Sequence, residues 1–285
     1  MTPPKGVPHP QFSTYLPCLP SERKPSSAAD ADAPYPGPDA PKKRLLKPVV
    51  KGEEEPRFIS SVRDWDGKYH HLIGTLTRKI SFGYQFVLTD DHIDDILALP
   101  RQVLEKIWYF IFNFGDVGYD AKNGARDVTN QAIVRLAKGL PNLRIVSLPS
   151  ANKVSDEGFL ALISNCPNLK LLEITPSATR SSSLAKVSLK ALDEFCAHPE
   201  WAPGLKQILL ENNESNKEFM KSMRELSKQR EKLVVTLLER WEEKKWGDFD
   251  IHTRPMHYLK GRKIPYEKVP RRIAQRHGQD HSIQI

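Results

Sequence analysis

The side chains best equipped for chemistry lie in Asp90-Asp91-His92 and Asp94-Asp95, five possible metal ligands within six residues. Carboxylate oxygens beside an imidazole suit a divalent cation. The same residues also follow Thr89, a hydroxyl helix cap, and acids in a first helical turn are favoured by the helix dipole. That arrangement makes them structural, and no metal site is expected. The pairs His70/His71, His252/His257 and His277/His281 fall in polar segments. Cys18, Cys166 and Cys196 are odd in number and widely spaced, which suits neither a disulfide framework nor a zinc site. Nucleophile-elbow, phosphate-loop and zinc-helix motifs are missing from the sequence. No catalytic residue and no cofactor are expected, and the chain reads as a protein other than an enzyme.

Charge separates the chain into three parts. Residues 1–56 carry 8 Lys and Arg against 7 Asp and Glu, residues 57–250 carry 27 against 26, and residues 251–285 carry 8 against 2. The net charge of +8 therefore sits in a basic C-terminal segment, with Lys260, Arg262, Lys263, Arg271 and Arg272 among Ile264, Tyr266, Val269 and Ile273. Such a segment can meet nucleic acid or an acidic partner, serve as a nuclear-import signal, or fold back as a cap. Residues 1–56, rich in Pro, Ser, Ala and charge, lack the apolar content to offset chain entropy and are expected to be disordered. An apolar run of about 18 residues is absent, so no membrane association is expected. The cytoplasm or nucleus is the expected location.

The elements that position these residues announce themselves through repetition. VTNQAIVRLAKGLPNLRIVSL (128–148) and VSDEGFLALISNCPNLKLLEI (154–174) match with an offset of 26 residues. Each copy predicts a capped helix followed by a short strand with L-x-x-V-x-L alternation. Neither buries its apolar face alone, so the copies must stack. Weaker copies place hydroxyl caps at Thr89 and Ser188, equivalent to Thr129 and Ser155. Strands are expected near 80–82, 107–111, 145–148, 171–174 and 207–210 in one parallel sheet. Leu104, Ile107 and Tyr109 are the inward positions assigned to the second of these. A lone strand with Thr77, Ile80 and Phe82 opens the array, and Phe219, Met223, Leu226 and Leu233 to Leu238 close it.

Residues 154–174 resemble the leucine-rich repeat of the ribonuclease-inhibitor-like, cysteine-containing type found in many F-box/LRR proteins, roughly V-T-D-x-x-L-x-x-L-a-x-x-C-P-N-L-x-x-L-x-L. The resemblance implies a short, irregular α/β solenoid, with parallel strands on a concave face and helices on a convex one. Composition and charge, with these repeats, give the domain order 1–56 disordered, 57–250 repeats and 251–285 basic tail. The resemblance also implies protein binding, as an adaptor, through the concave face. Outward strand positions then read Ser81, Trp108, Ser147, Glu173 and Leu209 in one column and Gly83, Phe110, Pro149, Thr175 and Glu211 in the next. Trp108 and Phe110 stand out as aromatic anchors. An alternative comes from LALPRQVLEKIWYFIF (97–112), which resembles the opening of an F-box and implies an F-box-like substrate receptor of a ubiquitin ligase, docked to a Skp-type adaptor.

Overall fold

Leucines, isoleucines and valines recurring every second residue produce a single sheet of nine strands among the described residues, in chain order β1 to β9. The fold is that of a computed structural model, which describes residues 49–112, 124–175, 187–245 and 248–269. All lie within the unit Arg44–Ile285. The strands are β1 Arg57–Ser60, β2 Lys79–Gln85, β3 Tyr109–Phe112, β4 Ile145–Pro149, β5 Leu171–Thr175, β6 Gln207–Glu211, β7 Val234–Lys245, β8 Asp248–Leu259 and β9 Arg262–Ile264. Pairing from β1 to β7 is parallel throughout. The five strands anticipated in one parallel sheet are therefore all present.

Helices fill the crossovers: α1 Tyr69–Leu72, α2 Asp90–Leu97, α3 Arg101–Leu104, α4 Asn130–Gly139, α5 Asp156–Asn165, α6 Leu189–Ala197 and α7 Lys217–Gln229. α2, α4, α5 and α6 start directly after Thr89, Thr129, Ser155 and Ser188. One column of strand residues, Ile80, Phe110, Val146, Leu172, Ile208 and Val235, pairs strand to strand and is wholly buried against the helices. Cys166 ends α5 in the same core, its Sγ 3.8 and 3.7 Å from the carbonyls of Ala137 and Leu140, and burial pushes its thiol up to about 12. The architecture is a stack of repeats, an α/β solenoid-like fold.

Both ends are closed. At the first, Phe58, Trp65, Tyr69, Phe82, Phe86 and Phe110 form an aromatic cluster, with Trp65 stacked on Tyr69 at 4.8 Å and Phe82 4.9 Å from Phe110. Residues 49–56 were expected to be disordered; instead Glu53 N–H donates to Leu72 O (2.8 Å) and Thr75 N–H to Val50 O (3.0 Å). Gly52 and Gly74 permit this, since a Cβ on Gly74 would fall 2.4 Å from Val50 O. At the other end β7 and β8 form a long antiparallel hairpin, extended by β9 through a two-residue Lys260-Gly261 turn in which both φ angles are positive. Residues 251–264, for which folding back as a cap is one of the expected readings, thus belong to the sheet at the end of the stack. The reason lies in Tyr258, which extends the buried column past Val235, and in Met256, buried opposite Leu237.

Leu172→Ala should cost about 2–5 kcal/mol, because its side chain is 0% exposed at the centre of the stack. Lys170→Ala, two residues earlier on the surface, should change stability by less than about 0.5 kcal/mol. Urea melts of the two variants check this, and equal midpoints would contradict the inward assignment.

Candidate protein-interaction face

Four of the five residues of the acidic cluster are tied into the repeat stack. Asp90 accepts from the Thr129 amide (2.8 Å) and hydroxyl (2.7 Å), and Asp94 pairs with Arg135 at 2.9 Å. Asp95 accepts from Trp65 Nε1 and Tyr69 Oη, both at 2.9 Å. His92 Nδ1 accepts from the Thr89 amide at 3.0 Å, and burial lowers its pKa. No group of three or more metal-ligating side chains occurs among the described residues. No described helix is long and apolar enough to cross a membrane.

The sheet face away from the helices carries the remaining candidates. Its middle column runs Ser81, Ile111, Ser147, Glu173, Leu209, Thr236 and His257, reading across the pairing register. Ser147 donates to Glu173 Oε2 at 2.6 Å, and Thr175 donates to Oε1 of the same carboxylate at 3.3 Å. Gln207 Nε2 donates to Thr236 Oγ1, which lies 3.0 Å from His257 Nδ1. Ser81, Ile111, Ser147 and Leu209 are each at most 5% exposed. This column is thus shielded, which removes Ser147 and Leu209 as open contact residues and leaves Glu173 half-buried and engaged.

Two expected anchors change place. Phe110 is fully buried in the inward column, and Ile111 occupies the outward position assigned to Trp108. The short α3 pushes β3 three residues later than the repeat spacing suggests, so Ile107 takes the place expected of Leu104. Trp108 stands just before β3, half-buried, with the Arg78 guanidinium carbon 5.2 Å and the Arg144 carbon 4.1 Å from its ring centre. The F-box-like stretch is consumed by the same geometry. Leu99, Val103, Leu104, Ile107, Phe110 and Phe112 are all buried in the repeat core, where an adaptor cannot reach them.

The open part of the face lies near the strand starts. Tyr109, Ile145 and Leu171 are adjacent across β3, β4 and β5 and half-buried, with Lys79 beside them paired to Glu55 at 2.9 Å. Of the basic segment, Lys263 pairs with Glu214 at 3.0 Å, a carboxylate that also accepts from Tyr258 and is held below the usual range by these two donors. Lys260 pairs with Glu231 at 3.3 Å, and Arg262 is exposed. Val269 closes over Val234 at this end. Arg271 and Arg272 lie outside the described residues.

Phe110→Ala should therefore unfold rather than disarm the protein, at a cost of about 3–5 kcal/mol. Trp108→Ala should cost about 1–2 kcal/mol, the size of two partly exposed cation–π contacts. Thermal denaturation of both variants checks the order, and a larger loss for Trp108→Ala would contradict it.

No family model matches the chain. A local similarity joins it to the Saccharomyces cerevisiae protein "Antagonist of mitotic exit network protein 1", 32% identical over 72 residues. The similarity covers 25% of this chain and 13% of that relative, so the chain matches a small part of the relative's length. The repeat character of the fold rests on the parallel stack of strand–helix units.

Proposed function

We propose that the chain is a leucine-rich-repeat module of the ribonuclease-inhibitor-like type that binds a protein partner on its strand face, as an adaptor without chemistry of its own. The observation that carries the reading is the row Tyr109, Ile145 and Leu171, apolar side chains left half-open on three adjacent strands beside a column in which Ser81, Ile111, Ser147 and Leu209 are shielded. Contiguous open apolar surface with a polar rim is how interaction sites differ from ordinary surface. The local relative is named as an antagonist of the mitotic exit network. A role through association agrees with that name, and no partner of the relative is carried over with it.

Lysine-directed cross-linking with bound partner tests the reading. Lys170 and Lys206 flank the open row, whereas Lys138, Lys190 and Lys221 are exposed on the helices. Partner cross-links should concentrate at Lys170 and Lys206, and Leu171→Asp should remove them while leaving the thermal midpoint within a few degrees. Cross-links confined to the helical lysines would overturn the proposal.

A further inference from the structure

The residues immediately preceding the strands form a ladder of their own. Trp108 and Tyr109 amides both donate to Arg78 O, those of Arg144 and Ile145 to Trp108 O, those of Lys170 and Leu171 to Arg144 O, and those of Lys206 and Gln207 to Lys170 O. Arg78, Trp108, Arg144, Lys170 and Lys206 therefore stand side by side along one edge of the strand face. Strands about 4.8 Å apart make this row about 19 Å long, the span of about six extended residues. None of the four cations makes an ion pair with a carboxylate among the described residues. Glu54 bounds the row at one end and the buried Leu233 at the other. Such an unneutralised row belongs to residues 57–250, where 27 basic residues face 26 acidic ones. Its charge is thus a matter of placement rather than of composition.

From this juxtaposition we infer that the edge of the strand face binds an acidic, partly apolar stretch of a protein partner, laid in extended form across the starts of β2 to β6. The inference rests on the protein-binding reading above and adds the chemistry of the bound segment. Side chains on one face of an extended chain recur about every 6.6 Å, which sets about three carboxylates along the row. Apolar side chains of the same segment then meet Tyr109, Ile145 and Leu171, one residue further along each strand. A single-stranded nucleic acid would need open aromatic faces on which bases stack. The Trp108 ring is instead approached by a guanidinium from the unit on each side of it, Arg78 before β2 and Arg144 before β4. Those contacts hold the two guanidiniums at the edge, where carboxylates can take charge-assisted hydrogen bonds from them.

Fluorescence anisotropy on the full chain tests this, using a labelled ten-residue peptide of alternating Glu and Leu, its Gln/Leu counterpart, and labelled oligothymidylate of similar length. The Glu/Leu peptide should bind saturably, and more weakly as salt is raised. Lys170→Glu with Lys206→Glu should weaken it at least tenfold, whereas Lys138→Glu with Lys221→Glu on the helices should not. Both lysine pairs are exposed, so the variants should melt with the parent. Equal binding of the Gln/Leu peptide, equal loss in both double variants, no binding by the parent, or tighter binding of oligothymidylate would each overturn the inference. The last would assign the row to nucleic acid. Partner cross-links at Lys170 and Lys206 without affinity for the acidic peptide would refute the ligand class and leave the protein-binding reading standing.

Discussion

Three helices each hold the cap of a later one. Asp90, Asn130 and Asp156, the first residues of α2, α4 and α5, reach across to Thr129, Ser155 and Ser188, the caps of α4, α5 and α6. Asp156 accepts from the Ser188 amide at 2.6 Å and from its hydroxyl at 2.5 Å, and Asn130 bridges Ser155 through both its amide nitrogen and its oxygen. A carboxylate accepting from amide and hydroxyl makes bonds stronger than neutral ones. These bonds also fix where each crossover returns to the sheet, and so set the strand register on which both columns depend. Gly158 belongs to the same device, because its amide donates to Asn130 Oδ1 at 3.2 Å and a Cβ there would come within 2.9 Å of that oxygen.

A stack held this way has two open ends, and their closure decides what surface remains. The aromatic cluster around Trp65 covers the first end. At the second, the β7–β8 hairpin extends the sheet, and Arg230 donates to the carbonyls of Trp201 (3.0 Å) and His198 (2.9 Å) while lying 3.8 Å from the centre of the Phe195 ring. That guanidinium thereby ties the turn after α6 to the end of α7. Val269 and Tyr266 approach the strand face at Val234 and His257. With its middle column shielded, the face is left open mainly along the strand starts, where apolar and basic side chains adjoin.

The caps, the 26-residue period and the positions of five strands were legible in the sequence because each repeats a chemical role at a fixed spacing. The contribution of Asp90, Asn130 and Asp156 was visible only as the dipeptides Thr-Asp, Thr-Asn and Ser-Asp, which read equally well as acids or amides favouring a helix start. The register of β3 was not legible. Trp108 to Phe112 is an unbroken apolar run, and Phe110, Ile111 and Phe112 are all buried, so alternation offers no contrast between its faces. The hairpin was hidden by charge: β7 and β8 are polar at most positions beyond the first turn of pairing, and the basic composition of 251–285 outweighed Met256 and Tyr258. The cationic edge was not legible because successive members of the row, Trp108 included, lie 26 to 36 residues apart in the chain and meet only across the sheet.

If helix-to-cap bonds set the register, their energy must couple neighbouring units. A double-mutant cycle on Asp156→Ala and Ser188→Ala, read by urea denaturation, measures that coupling directly. The structure predicts an interaction energy of about 1–3 kcal/mol, the size expected for hydrogen bonds to a charged group. Single-variant losses that add to within about 0.3 kcal/mol would show that the units stack through their apolar faces alone.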